Sequence, residues 1–236
     1  MSTPWIFVTH LPPSAPSTCR VDADEAKHAA GSRRLRTGDR MHLFDGRGVI
    51  ADASMGAFNR DGSIDAEIDA LRAQPLLAPM LEIASAVPKG DRLGTLLESI
   101  GPLGAARWTP LDCAHSVVKW SSSHEPRARR VLISSCKQSH QSWLPQIAVS
   151  SSPEAAARDA ISRGLQVCIA HPDGKSISVA GRISSPTTFL IGPEGGFNEA
   201  ELQAVEALGA RRVSLGSAIL RIELAVSCVL ANVRLA

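Results

Sequence analysis

The run Leu190-Ile191-Gly192-Pro193-Glu194-Gly195-Gly196-Phe197-Asn198 carries an apolar segment through three glycines and a proline into a helix start. Glycine admits positive φ and lets a ligand approach where a Cβ would block it. Asn198 is a good N-cap, and Glu201 stands three residues on, at the capping-box position. Loops of this kind, between the carboxyl end of a strand and the amino end of a helix, are where open α/β sheets bind small ligands. The competing reading is a tight strand-to-helix turn with no ligand. Neither GxGxxG nor GxxxxGK[ST] occurs, which argues against both common nucleotide loops.

A second strand, glycine loop and helix follow in Ser214-Leu215-Gly216-Ser217-Ala218-Ile219-Leu220-Arg221-Ile222-Glu223-Leu224-Ala225. Arg221 and Glu223 stand at the entrance of an otherwise apolar helix. Taken alone they read as a surface ion pair or as terminal solvation. Two glycine-bearing loops at the carboxyl ends of two late strands would flank one crevice of a parallel sheet.

The elements that position these loops fall into two grammars. Up to about residue 72 the pattern is short-period: Trp5 to Thr9, Met41 to Asp45, Val49 to Met55 and Ile64 to Ile68 are predicted strands between Gly and Asp turns. A helix over Asp24 to Ser32 intervenes. Gln74 to Pro79, with two prolines, reads as a connector. From Met80 strands and helices alternate. Strands are expected at Met80 to Val87, Arg107 to Leu111, Leu165 to Ala170, Thr187 to Ile191 and Arg212 to Leu215. Helices are expected at Arg92 to Gly101, Arg127 to Gln141, Pro153 to Arg163, from Asn198, and over Leu220 to Leu235. Alternation of this kind implies a parallel sheet covered on both faces. The predicted domains are therefore 1–73, β-rich, and 74–236, α/β.

With 236 residues the chain is long enough for a proper core, and a net charge of +2 gives no overall pull toward nucleic acid or membrane. Charge is local instead: Lys27, Arg33, Arg34, Arg36 and Arg40 crowd one stretch against the single acid Asp39. That stretch is either a phosphate-contacting patch or a solvated face. The five cysteines are odd in number and scattered, without CxxC or Cys/His spacing, so neither a disulfide framework nor a metal site is indicated. No signal peptide and no apolar run of about 20 residues is visible, which predicts a soluble, cytoplasmic protein.

Together, Leu190-Ile191-Gly192-Pro193-Glu194-Gly195-Gly196-Phe197 and Leu215-Gly216-x-x-Ile219-Leu220-Arg221-x-Glu223-x-Ala225 resemble the ribosomal RNA small subunit methyltransferase E family, of the SPOUT class. Leu35-Arg36-x-Gly38-Asp39 and Phe44-Asp45-Gly46 look like its N-terminal barrel. Lys89 to Pro110, and Gln138 followed by Pro145, look like its middle segments. The resemblance implies a homodimer that methylates N3 of a uridine in 16S ribosomal RNA of the small subunit from S-adenosylmethionine, without a metal. It implies a PUA-like RNA-binding β-barrel over 1–73 and a SPOUT domain over 74–236, with a deep trefoil knot and the cofactor site in roughly 165–236.

Carried onto this sequence, the cofactor site comprises Leu190, Ile191, Gly192, Glu194, Gly195, Gly196, Leu215, Gly216, Ile219 and Leu220. Arg221, Glu223 and Glu194 are the catalytic candidates, with Arg221 stabilising a developing uridinate and a glutamate orienting it. Lys27, Arg33, Arg34, Arg36 and Arg40 are the RNA-binding candidates.

Several positions depart from the family pattern. Ser217-Ala218 stands for its Pro-Arg, Ile222 and Leu224 for its threonines, Lys137-Gln138…Gln141 for its Glu-Gln…Arg, and Pro102-Leu103-Gly104 for its Glu-Leu-Gly. The lost arginine and the lost hydroxyls each remove polar contacts from the substrate side. A non-catalytic RNA-binding or ribosome-assembly protein on the same fold, and a SPOUT enzyme with another RNA target, therefore stand as alternatives. An NAD oxidoreductase lacks the early βαβ fingerprint.

Overall fold

The structure is a computed structural model that describes residues 3–32, 35–177 and 183–235. The chain divides into two compact units: Met1–Leu76 with Cys136–Leu144, and Leu77–Ser135 with Pro145–Ala236.

The first unit is a five-stranded sheet with one helix of its own. Its elements are β1 (Trp5–Phe7), β2 (Ser17–Val21), α1 (Ala23–Ser32), β3 (Arg40–Phe44), β4 (Val49–Ser54) and β5 (Ile64–Ala73). The strand order is β1-β3-β4-β5-β2; β1 runs parallel to β3 and the other pairs are antiparallel. Period-two alternation decides the inner face: on β5, Ile64, Ala66 and Ile68 are buried while Asp65, Glu67 and Asp69 face outward. These three pack with Val21, Leu43 and Ala51 into one core. Strand β2 was not foreseen. Its residues Ser-Thr-Cys-Arg-Val lie just after Pro12, Pro13 and Pro16, and only the edge pairing of Ser17 with Ile68 through Val21 with Ile64 makes it a strand.

Residues 136–144 in this unit include the last turn of helix α3 (Glu125–Ser139). The helix closes as a Schellman turn: Gln141 N–H donates to the Cys136 carbonyl at 3.0 Å, and His140 takes φ +57° at the position where glycine is usual. Its imidazole stacks on Trp5, with ring centroids 5.2 Å apart and planes 10° from parallel.

The second unit is a six-stranded parallel sheet. Its strands are β6 (Leu81–Ala86), β7 (Ala105–Leu111), β8 (Gln146–Ile147), β9 (Gln166–Ser176), β10 (Thr187–Ile191) and β11 (Arg211–Ser214), in the order β11-β9-β10-β6-β7-β8. Helices α2 (Arg92–Ile100), α4 (Pro153–Ser162), α5 (Glu199–Ala207) and α6 (Ile222–Leu235), with the start of α3, complete the unit. The central strands β6 and β10 are buried at every position, as a parallel sheet covered on both faces requires. One of those buried positions is Glu82. Its carboxylate accepts two hydrogen bonds from Arg163, at 2.6 and 2.8 Å, where α4 ends.

Two strands depart from expectation. Strand β8 was unforeseen and has only two residues. Strand β9 continues past Ala170 to Ser176 because its register with β11 jumps: Arg212 pairs with Ile169 but Val213 pairs with Lys175. Pro172 in that excursion disguises the strand in the sequence.

Candidate active site

Strands β10 and β11 both pair with β9, in parallel, so their carboxyl ends leave the same edge of the sheet two strand spacings apart, about 10 Å. The glycine loop 192–198 follows β10, and the loop 215–221 follows β11. Both loops predicted from sequence therefore stand side by side.

The glycine loop is held from several directions. At its far end the capping box is formed: the Asn198 side chain accepts from Glu201 N–H at 2.8 Å, and Glu201 Oε2 accepts from Asn198 N–H at 2.9 Å. The other oxygen of Glu201 accepts from Ala114 N–H at 2.7 Å, which ties the connection after β7 to the start of α5. From that connection His115 Nδ1 reaches the carbonyls of Gly195 and Gly196 at 3.2 and 3.1 Å. Carbonyls only accept, so Nδ1 carries the proton. At the tip, Glu194 Oε1 meets Arg92 Nη1, from the first turn of α2, at 2.8 Å.

These contacts explain the glycines. A Cβ on Gly195 would sit 3.3 Å from His115 Cβ, and one on Gly192 would sit 3.0 Å from the buried Phe197 ring. Gly196 and Gly216 adopt φ of +73° and +126°. At Gly195 a side chain would press on His115 within the chain.

The other candidates are distributed as follows. Leu190 and Ile191 are buried in β10, Leu215 and Leu220 are half-buried, and Ile219 is exposed. The four apolar residues 190, 191, 219 and 220 thus differ sharply in exposure. Arg221 is exposed and, among the described residues, pairs with no carboxylate. Glu194 meets Arg92 through one carboxylate oxygen. Glu223, in the first turn of α6, has a buried Oε2 without a hydrogen-bond partner. A buried, unsatisfied carboxylate oxygen is costly unless something outside the chain meets it.

In the first unit, Lys27 and Arg36 are exposed, while Arg40 pairs with Asp69 and donates to Ser54 Oγ at 3.0 Å. Arg33 and Arg34 lie outside the described residues. Among the described residues, no group of His, Cys, Asp or Glu is placed to hold a metal ion, and no helix is long and apolar enough to cross a membrane.

Arg92, Ala114 and His115 were not foreseen as site residues. Nothing in their spacing marks them, since their partners lie between 80 and 102 residues away.

Residues 77–234, nearly the whole second unit, match the family model described as RNA methyltransferase domain. The chain belongs to that family. Two relatives span both units. "Ribosomal RNA small subunit methyltransferase E" of Mycobacterium bovis is 27% identical over 97% of this chain and 90% of its own length. The protein of the same name from Bacillus subtilis is 24% identical over 88% and 86%. Among solved structures, the Neisseria gonorrhoeae ribosomal RNA small subunit methyltransferase E, bound to S-adenosyl methionine, superposes with a TM-score of 0.89. The superposition covers 99% of this chain and 98% of that one at 23% identity. At that identity the likeness establishes the fold.

Proposed function

We propose that the protein transfers a methyl group from S-adenosylmethionine to N3 of a uridine in 16S ribosomal RNA. The observation that carries this reading is the placement of two glycine loops side by side at one carboxyl edge of the family's parallel sheet. The residues fit the cofactor. Glu194, Gly195 and Gly216 are exposed on the two loops and Gly192, Gly196 and Leu215 are part-exposed, with Leu220 as half-buried apolar surface. The unsatisfied carboxylate oxygen of Glu223 is suited to a donor or cation from outside the chain. When bound, the cofactor supplies an electrophilic methyl on a sulfonium.

The chain's own groups do the rest. His115, Arg92 and Glu201 fix the glycine loop, so little ordering remains when the donor binds. Uracil N3 must lose its proton and be unstacked to react. The unpaired guanidinium of Arg221 stabilises the developing uridinate, a role for which a cation without an internal partner is suited. Alignment of nucleophile and methyl supplies much of the acceleration, and no covalent protein intermediate is needed.

The relatives' names, ribosomal RNA small subunit methyltransferase E, support a substrate in the small ribosomal subunit. With that reading go a trefoil knot in the second unit, a PUA-like barrel in the first, a homodimer, a cytoplasmic location and RNA contact by Lys27 and Arg36.

The deciding experiment incubates purified protein with labelled S-adenosylmethionine and undermethylated small subunits, then maps the modified base. Label at N3 of one uridine supports the proposal. Cofactor binding without transfer would favour the RNA-binding alternative, motivated by Ser217, Ala218, Ile222, Leu224 and Gln141. Label on a different base would mean another RNA target.

A further inference from the structure

A cavity of about 490 Å³ opens in the second unit beside, and separate from, the two glycine loops. Its walls are the turn after β6 with α2 as far as Glu98, the connection that follows β7, and the start of α3. Leu93, Leu97 and Val131 are among its apolar lining, while Asp91, Glu98 and Arg127 bring charge. The cavity adjoins the glycine loop, because Arg92, flanked by the lining residues Asp91 and Leu93, is the residue that pairs with Glu194.

Three observations indicate an occupant from outside the chain. Gly94 lies inside α2 and lines the cavity, yet a Cβ built there meets nothing within 4 Å. Glycine inside a helix is destabilising relative to alanine, and no close approach or backbone conformation of this chain requires it. Asp91 occupies the N-cap of α2 but its side chain caps nothing. Arg127 is exposed and, among the described residues, has no carboxylate partner. The helix thus keeps space empty at a cost, between a carboxylate and a guanidinium that are both uncommitted.

We propose that this cavity receives one unstacked nucleotide of the RNA, next to the nucleotide that is methylated. The volume suits a nucleotide-sized ligand. Leu93 and Val131 face the base, Arg127 takes the phosphate, and Asp91 or Glu98 accepts from base N–H groups or a ribose hydroxyl. A cavity with both signs of charge around an apolar floor matches a nucleotide better than the flat apolar patch of a dimer contact. The assignment rests on the methyltransferase reading above.

Gly94→Phe tests it, because the ring fills the cavity from a helix that tolerates the change. The melting temperature and the S-adenosylmethionine Kd by calorimetry should match wild type, while affinity for small subunits and kcat/KM for transfer fall by about ten-fold or more. Gly94→Ala should keep wild-type affinity. Arg127→Ala provides an independent arm that does not touch the helix: the slope of log affinity against log salt should drop by about one phosphate contact. Undiminished subunit binding in both Gly94→Phe and Arg127→Ala would overturn the proposal. So would a change in sedimentation coefficient with subunit binding intact, which would assign the groove to a second copy of the chain. If wild-type protein transfers no methyl group, the reaction is misassigned, and subunit binding by Gly94→Phe against wild type still decides the cavity.

Discussion

Arg92 and Glu194 stand 102 residues apart in the chain and meet at 2.8 Å, joining the first turn of α2 to the tip of the glycine loop. Both are part-exposed, so the pair contributes little to global stability, about 0.2–1 kcal/mol. Its effect should be local, on the ordering of the loop. Arg92→Ala is expected to leave the melting temperature within a degree or two of wild type. It should raise the Kd for S-adenosylmethionine by about three- to five-fold, the equivalent of up to ~1 kcal/mol. Calorimetric titration checks this, and an unchanged Kd would show that the loop is held without the pair.

Arg221 is expected to behave in the opposite way. It has no carboxylate partner among the described residues, so its loss leaves no buried charge behind. Arg221→Ala should keep the fold and the cofactor Kd while lowering single-turnover methyl transfer by about 10²–10³, the usual cost of deleting one transition-state donor. Arg221→Lys should recover part of that loss, since a charge returns without the guanidinium geometry. Equal losses in binding and turnover would place Arg221 on the cofactor instead.

The sequence was legible where a local signal exists. The glycine loop, its capping box at Asn198 and Glu201, the buried run of β10 and the period-two face of β5 all follow from residues within a few positions of one another. What was not legible depends on partners far along the chain. His115 gains its role only because the end of β7 lies near the end of β10, with β6 between them. The end of α3 belongs to the first unit, although the proline-rich connector lies 60 residues earlier. Nor could the sequence show that a Cβ at Gly195 would press on His115, 80 residues away.

The turn at His140 offers a direct measure of backbone strain against stacking. A non-glycine residue in the left-handed region costs about 1–2 kcal/mol, and here the imidazole stacked on Trp5 offsets part of that. His140→Gly removes both strain and stack and should be nearly neutral. His140→Ala removes the stack and keeps the strain, so it should be less stable than His140→Gly by about 1 kcal/mol in urea unfolding. If the alanine variant were the more stable of the two, the left-handed conformation at 140 would be wrong.

Two thiols should be silent until strongly alkaline pH. Burial pushes Cys136 up to about 12, and burial together with the nearby Glu201 carboxylate pushes Cys113 up to about 12, from an ordinary 9.0. Thiolate is the reactive form, so iodoacetamide at pH 8 should modify the part-exposed Cys228 well before either. The sign of the linkage follows. The folded state holds these protons more tightly than the unfolded chain. The stability they contribute is complete below pH 9 and is lost as pH rises through 12. Mass spectrometry of labelled peptides reads the first effect, and unfolding midpoints between pH 8 and 11 read the second.

Glu82 and Arg163 carry the largest stability cost expected from a single polar substitution. The Glu82 side chain is only 5% exposed on the central strand β6, where both its oxygens accept from Arg163 and one lies 3.3 Å from the hydroxyl of Thr188. Arg163→Ala leaves that buried carboxylate with only the Thr188 hydroxyl from this set, and breaking a buried pair from one side costs about 3 kcal/mol or more. Arg163→Lys should recover less than half of the loss, because an ammonium cannot make the two-pronged contact. Adding Glu82→Gln to Arg163→Ala should restore stability relative to the single variant, because the stranded charge is gone. Urea midpoints of the three variants decide the matter, and a double variant no more stable than Arg163→Ala would mean that the arginine acts through packing alone.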